Sequence, residues 1–382
     1  HHNVTKSSDM AMDRSRSNSC SIQEEEETRL ECSRRLRSLS VNSNIFTDDT
    51  SILDGPSASS MEEDVEVEVG GVLGSGGFSD IMELRSLKGR SERSESIDST
   101  LPAASHHSVA SSEGAKSYAV KRLRNDLQSS RARSGAIDLA VEAQFLTALF
   151  HPNIVSLHCV GETPGNRDFF IIIERIDRTL AQEFKAWSGA ERRIIDGKFR
   201  RIQKKQRMQL VFDSRLSAAI EITNAMKYLH ERNIIFRDLK PQNIGIDFQE
   251  NIKIFDFGCA KELKEEQKVG QDRYLSTART GTQRYMAPEV HDGTAYGLAA
   301  DVYSFSILLW EMLTLTRPFK KVRTLTAHAR AVYKKKQRPR IQNSWPKELK
   351  TLLQKGWHPK PSCRPSMDEF CNVLESLLTD NQ

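Results

Sequence analysis

Phe236-Arg237-Asp238-Leu239-Lys240-Pro241-Gln242-Asn243, followed about a dozen residues later by Asp256-Phe257-Gly258, constrains this chain more than any other stretch. It offers a carboxylate that can orient a hydroxyl, a lysine that can steady a transferring phosphate, and an Asn/Asp pair of oxygen donors suited to magnesium. Several spaced residues of defined chemistry must coincide here, which a chance Asp/Asn loop rarely achieves.

Three further segments belong with it. Val65-Glu66-Val67-Glu68-Val69 alternates strictly and predicts a half-buried strand. It continues through Val72-Leu73 into Gly74-Ser75-Gly76-Gly77-Phe78-Ser79, with Ile81-Met82-Glu83-Leu84 as the returning strand. Glycines in such a turn let backbone N–H groups come close to phosphates. Tyr118-Ala119-Val120-Lys121-Arg122-Leu123 reads as a strand whose lysine needs a partner if desolvated. The partner offered is Glu142, on a helix predicted over 136–150 from the spacing of Ile137, Ala140, Val141, Phe145, Ala148 and Leu149, and ended by His151-Pro152.

In order and spacing these residues resemble the eukaryotic protein kinase superfamily, over about 65–380. The resemblance implies an α+β bilobal fold. A small lobe holds a five-stranded antiparallel sheet and one helix, and a larger lobe is mainly helical. It implies ATP and Mg2+ as cofactors and transfer of the γ-phosphoryl group to protein hydroxyls. Asp238 would orient the acceptor hydroxyl, Lys240 would stabilise the moving phosphoryl group, Lys121 would pair with Glu142, and Asn243 with Asp256 would ligate magnesium. ATP would meet Leu73, Gly74, Ser75, Gly76, Gly77, Phe78, Ser79, Ile81, Ala119 and Lys121, with Ile173 behind it and Glu174 and Ile176 at adenine. The family's third glycine is Ser79 here.

Gly281-Thr282-Gln283-Arg284-Tyr285-Met286-Ala287-Pro288-Glu289 resembles the substrate-facing end of a Ser/Thr-kinase activation segment, with Thr282 at Asp238 and Lys240. Arg237 resembles the arginine that receives a phosphorylated activation segment; Tyr274, Ser276, Thr277 and Thr280 are the hydroxyls available, with Ser276 or Thr277 favoured. Glu289 would pair with Arg364. Phe236 stands where the family usually has histidine, keeping a stack with Phe257, Leu146 and Leu157 but losing the imidazole's hydrogen bonds. Gln242 replaces the Glu often found in arginine-seeking kinases. Asp301-Val302-Tyr303-Ser304-Phe305, Leu309-Trp310-Glu311 and Trp357 resemble the tyrosine-kinase-like group of Ser/Thr kinases. A pseudokinase scaffold and a dual-specificity kinase are the rival readings.

The rest of the chain is polar. The apolar fraction of 38% is low for a wholly packed protein. Residues 1–62 read as a disordered Ser/Arg/Glu-rich tail, in which Ser38 and Ser40 follow arginines, and about 85–117 as a polar, unfolded insertion. About 185–208 is a basic insertion, read as a solvated helix or loop extension able to meet an acidic partner or phosphates. A net charge of +5 gives no case for a nucleic-acid partner. No apolar run approaches the ~20 residues of a membrane span. Six scattered cysteines read as free thiols of a reducing compartment, Cys259 among them as a small core residue. The expectation is a soluble protein of the cytoplasm, with the nucleus open to it, acting on Ser/Thr of protein substrates and answering to an upstream activating kinase. The chain starts His1-His2 without methionine, so it reads as a fragment or a tagged piece.

Overall fold

A computed structural model describes residues 59–60, 65–89, 118–162 and 167–379. The tail expected over 1–62 falls outside these, except for Ser59–Ser60. The polar insertion expected over 85–117 also falls outside, except for its first five residues. The described residues divide into two compact units, one formed by those within 59–148 and 156–175, the other by those within 149–155 and 176–379.

The first unit is a sheet with one helix. Its strands are β1 (Ser59–Ser60), β2 (Val65–Ser75), β3 (Ser79–Gly89), β4 (Tyr118–Leu123), β5 (Leu157–Gly161) and β6 (Phe170–Glu174), in the order β1-β5-β6-β4-β3-β2. The five expected strands are antiparallel, and the two residues of β1 add a short parallel edge to β5. β3 runs beyond Leu84 to Gly89, because Leu84 and Leu87 keep apolar groups on the face that holds Val120, Cys159 and Ile172. Helix α1 (Ser129–Ala148) starts earlier than the spacing predicted, since Ala132 and Gly135 are already buried. Gly135 permits this: a Cβ there would lie 2.8 Å from Phe78 Cβ and 2.9 Å from Leu123 Cδ2. The helix therefore presses directly on the glycine turn and on β4.

The second unit begins with β7 (Arg178–Thr179), α2 (Leu180–Asp196) and α3 (Arg201–Glu231). A capping box between Thr179 and Gln182 starts α2. The basic insertion is these two helices prolonged, not an added loop. The turn between them is only 197–200, and Glu191 of α2 meets the buried Arg215 of α3 at 2.7 Å, with the Arg215 guanidinium 5.5 Å from the Trp187 ring. Further along, α3 buries Leu216, Ala219, Ile222, Thr223, Met226 and Leu229, while Ile220 is half-buried. Next come β8 (Ile234–Ile235), the hairpin β9 (Ile244–Ile246) with β10 (Ile252–Ile254), and β11 (Lys261–Glu262), which pairs with β8. A small hairpin, β12 (Lys268–Gly270) with β13 (Arg273–Tyr274), leads to α4 (Pro288–Asp292). The central helix α5 (Ala299–Thr314) is buried along almost its whole length. Short α6 (Leu325–His328), then α7 (Lys347–Gly356) and α8 (Met367–Thr379) complete the unit, with Phe305 of α5 edge-on to Phe370 of α8 at 5.2 Å. No helix among the described residues is long and apolar enough to cross a membrane.

Candidate active site

In the first unit, Lys121 sits mid-strand in β4, opposite Ile81 on one side and Ile171 on the other. Its Nζ lies 2.5 Å from Glu142 Oε2, and both side chains are buried. A buried charge is tolerable only with such a partner. Ala119, two residues before it, faces Ile173 across the β4–β6 pairing. The glycine turn closes through Gly76 N–H to the Ser79 carbonyl at 2.8 Å, and Ser75 Oγ donates to Asp80 at 2.5 Å. A Cβ at Gly74 or Gly77 would meet nothing within 4 Å. Leu73 is largely exposed beside it, while Phe78 and Ile81 are half-buried. The Glu174 carboxylate accepts from the Ser156 N–H and Oγ, and the Glu174 N–H donates to the Ser156 carbonyl at 2.9 Å.

In the second unit, Asp238 is the hub. Its Oδ1 accepts the Thr282 N–H at 2.7 Å, and its Oδ2 accepts Lys240 Nζ at 2.5 Å and Asn243 Nδ2 at 3.1 Å. Asn243 Nδ2 also donates to the Asp238 carbonyl at 3.0 Å. Phe255 N–H bonds to the Asn243 carbonyl at 3.1 Å, which seats Asn243 beside the start of the Asp256-Phe257-Gly258 turn. Asn243 and Asp256 supply oxygen donors only, the set a hard divalent cation takes when waters and phosphates complete its shell. The residues present thus fit magnesium. Ile176 of this unit packs on Gly245, where a Cβ would come within 2.5 Å of it.

Two non-glycine residues here, Arg237 and Asp256, each hold φ at 71°, a conformation that costs energy and persists where neighbours impose it. Asp301, buried in α5, imposes the first: its Oδ1 accepts Arg237 N–H at 2.9 Å and its Oδ2 accepts Phe236 N–H at 2.8 Å. The Phe236 ring stands edge-on to Phe257 with centroids 5.1 Å apart, so the aromatic contact expected of that position is made without an imidazole. Leu146 and Leu157, expected in the same stack, belong to the first unit.

Arg237 turns its guanidinium to the Cys259 carbonyl at 2.5 Å and the Ala260 carbonyl at 3.3 Å. Lys261 lies close by, and donates to the Leu275 carbonyl at 2.7 Å and to Ser276 Oγ at 3.2 Å. Burial, with Arg237 adding repulsion, brings the Lys261 ammonium down to about 8. Thr280 Oγ1 donates to the Thr277 carbonyl at 3.2 Å, which also receives Tyr296 Oη at 2.7 Å. Thr277 itself is exposed. Arg364 forms the expected fork on Glu289, at 2.6 and 2.9 Å, and adds a bond to the Ala299 carbonyl at 2.7 Å.

The sequence pattern described as protein kinase domain matches residues 104–374. This chain belongs to the protein kinase domain family. Similar curated proteins are the serine/threonine-protein kinase STY17 of Arabidopsis thaliana, 39% identical over 44% of this chain and 28% of its own length, and the dual specificity protein kinase shkC of Dictyostelium discoideum, 32% identical over 63% and 43%. The serine/threonine/tyrosine-protein kinase HT1 of Arabidopsis thaliana is 32% identical over 61% of this chain and 53% of its own. The chain thus spans between about a quarter and about half of the length of these relatives. The glycine turn of β2–β3 precedes the matched span, whereas Lys121 through Arg364 lie inside it.

The structure brings Asp238, Lys240, Asn243 and Thr282 together. The close approach at Gly281 and the bonds of Asp301, Lys261 and Tyr296 were not foreseen from the sequence. For Gly281 the signal was present, a glycine directly before the threonine expected at Asp238. For Asp301 and Tyr296 the bonds cross dozens of residues of chain and leave no local pattern.

Proposed function

We propose that this kinase domain transfers the γ-phosphoryl group of Mg-ATP to serine or threonine hydroxyls of proteins. The observation that carries the proposal is the fixed carboxylate of Asp238, held on both oxygens by Thr282, Lys240 and Asn243. A carboxylate so oriented can accept the proton of an attacking hydroxyl while the bond from phosphorus to the ADP oxygen breaks and that to the acceptor oxygen forms. Lys240 would balance charge on the moving group. Asn243 and Asp256 would hold the metal, which neutralises phosphate charge. Lys121, fixed by Glu142, would bind phosphate oxygens of the nucleotide, and the glycine turn would cover them.

Regulation by phosphorylation of the activation segment is part of the proposal. Ser276 already contacts Lys261, and Arg237 stands behind it with only carbonyl and hydroxyl partners. A phosphate on Ser276 would give both cations a dianionic partner. An upstream kinase, or the chain itself, would place it.

The first test is phosphate incorporation from Mg-ATP into the chain and a generic Ser/Thr protein substrate, beside Asp238→Asn. Incorporation by the unmodified chain alone is expected; equal incorporation by both would sink the role of Asp238. A dual-specificity reading draws on the relatives named dual specificity kinases and would show as phosphotyrosine on Tyr274 or Tyr285. Tyr274 and Tyr285 are buried, and the Tyr285 hydroxyl donates to Glu311 at 2.6 Å. A scaffold reading draws on the basic α2–α3 hairpin, which leaves Ile195 and Ile202 exposed among its cations. Nucleotide binding without any transfer would favour it.

A further inference from the structure

The stretch after Glu311 is the most one-sided in charge on the described surface. Between Glu311 and Glu348 the chain carries eleven Lys and Arg and no Asp or Glu. Arg317, Lys320, Lys321, Arg323 and Arg330 are exposed, as are Lys334 through Lys336, and none of them forms an ion pair among the described residues. Folded proteins rarely leave so many cations together without counter-charges, because their mutual repulsion costs stability.

This segment is bonded directly to the residues that follow Thr282. Gln283 Nε2 donates to the Leu325 carbonyl at 3.0 Å, and Tyr333 Oη donates to the Gln283 carbonyl at 3.0 Å and the Met286 carbonyl at 3.4 Å. Arg284 Nη1 donates to the Pro318 carbonyl. Thr282 in turn holds Asp238. The basic surface is therefore built onto the same strip of backbone that positions the reacting carboxylate.

Of the carboxylates close at hand, buried Glu311 accepts from the Tyr285 hydroxyl and attracts Arg317, and Asp292 is met by His291 Nδ1 at 3.0 Å, on a ring that packs 4.1 Å from Tyr333. Next to the catalytic lysine, the exposed side chain is the neutral Gln242, so nothing there invites a basic residue either.

We infer that this domain selects acceptor sites embedded in acidic sequence: an extended segment whose Asp and Glu residues flank the phosphorylated Ser or Thr and lie along the surface formed by Arg317, Lys320, Lys321 and Arg323. This rests on the kinase reading of the same site and names its substrate class. An extended chain advances about 3.3–3.6 Å per residue, so a handful of flanking residues sample the surface while the acceptor hydroxyl stays at Asp238. The attraction is between exposed charges and weakens as salt shortens the Debye length, about 10 Å at 0.1 M. Leu325, exposed in the middle of the patch, gives one apolar contact among the charges.

The test separates binding from transfer. Three labelled peptides with an identical Ser core carry Glu/Asp, Ala or Lys/Arg on both flanks. Ser-to-Ala versions of them report binding by anisotropy at low and high salt, and the Ser versions report kcat/KM with Mg-ATP. The acidic peptide should bind at least tenfold tighter than the basic one at low salt, losing most of that margin at high salt, and should lead in kcat/KM. The triple variant Lys320→Glu, Lys321→Glu, Arg323→Glu should narrow or reverse the ranking of both, with its melting temperature checked against the unmodified chain. Equal binding of the acidic and basic peptides, or a ranking unmoved in a folded triple variant, overturns the inference. Tight binding of a duplex oligonucleotide together with equal peptide affinities overturns it in favour of a nucleic-acid surface. Transfer to none of the peptides or to a generic protein, with the acidic binding preference intact, fails the kinase reading and leaves the docking preference standing.

Discussion

Gly281 packs its Cα against the Arg237 carbonyl so closely that a Cβ on it would lie 2.2 Å from that oxygen, and its φ is +94°. The next residue, Thr282, delivers its N–H to Asp238. The glycine is thus what lets the activation segment approach the catalytic loop near enough for that bond. Gly281→Ala should break it. Backbone strain of about 1–3 kcal/mol is expected from the conformation alone, and the collision adds to it. The checks are a thermal melt and kcat. A loss of activity beyond tenfold with a modest drop in melting temperature fits a displaced Thr282, while wild-type kcat would show that Asp238 needs no help from it.

Lys121 and Glu142 form a buried pair in the first unit. Taking away one member of such a pair costs about 3–5 kcal/mol, whereas the exposed pair Lys227–Asp368 is screened by water and contributes little. Glu142→Ala should therefore destabilise the domain far more than Asp368→Ala, and should weaken nucleotide binding as well. Denaturant melts of both variants beside a fluorescent nucleotide titration decide it; equal stabilities would contradict the buried pair.

Much of this could be read in the sequence, and the reason lies in where each signal sits. Asp238, Lys240 and Asn243 lie within six residues of one another, so their chemistry shows as a motif. β2 announced itself through the Val/Glu alternation, and α1 through its apolar spacing. The restraint on Arg237 comes from Asp301, 64 residues away, and no local pattern links the two. The basic insertion was ambiguous for another reason: a run of exposed Lys and Arg is compatible with a solvated loop or a helix, and the anchors that make it helical, Arg215 with Glu191 and Trp187, lie at its margins or beyond it. The basic segment after Glu311 was visible as composition, but its meaning depended on the bonds from Gln283, Arg284 and Tyr333.

Burial raises the Glu311 carboxyl to about 7 from its ordinary 4.5. Below pH 4.5 the group is protonated in both folded and unfolded chains and costs nothing. Between 4.5 and 7 the unfolded chain ionises first, so stability falls as pH rises. Above 7 the full penalty applies, on the order of 3 kcal/mol at about 1.4 kcal/mol per unit. Glu311→Gln keeps an acceptor for the Tyr285 hydroxyl and removes the charge. It should raise the melting temperature at pH 8 and leave it nearly unchanged at pH 4.5. A variant destabilised at both values would mean that the carboxylate's attraction to Arg284 and Arg317 outweighs its desolvation.

Lys261 gives the activation proposal a direct reporter. Its ammonium is held down to about 8 by burial and by Arg237. A phosphate on Ser276, whose hydroxyl it already contacts at 3.2 Å, would favour the charged form. The lysine should then titrate well above 8, and phosphorylation carried out near pH 8 should take up a fraction of a proton at this site. Carbon-detected NMR of labelled lysine side chains, before and after phosphorylation, follows the change, with Lys261→Met assigning the signal. The same variant should blunt the gain in kcat that phosphorylation brings. Ser276→Ala should abolish both the shift and the gain. A lysine that titrates at the same pH in both states would place the regulatory phosphate on another hydroxyl, and Thr277, exposed one residue along, is the first to examine.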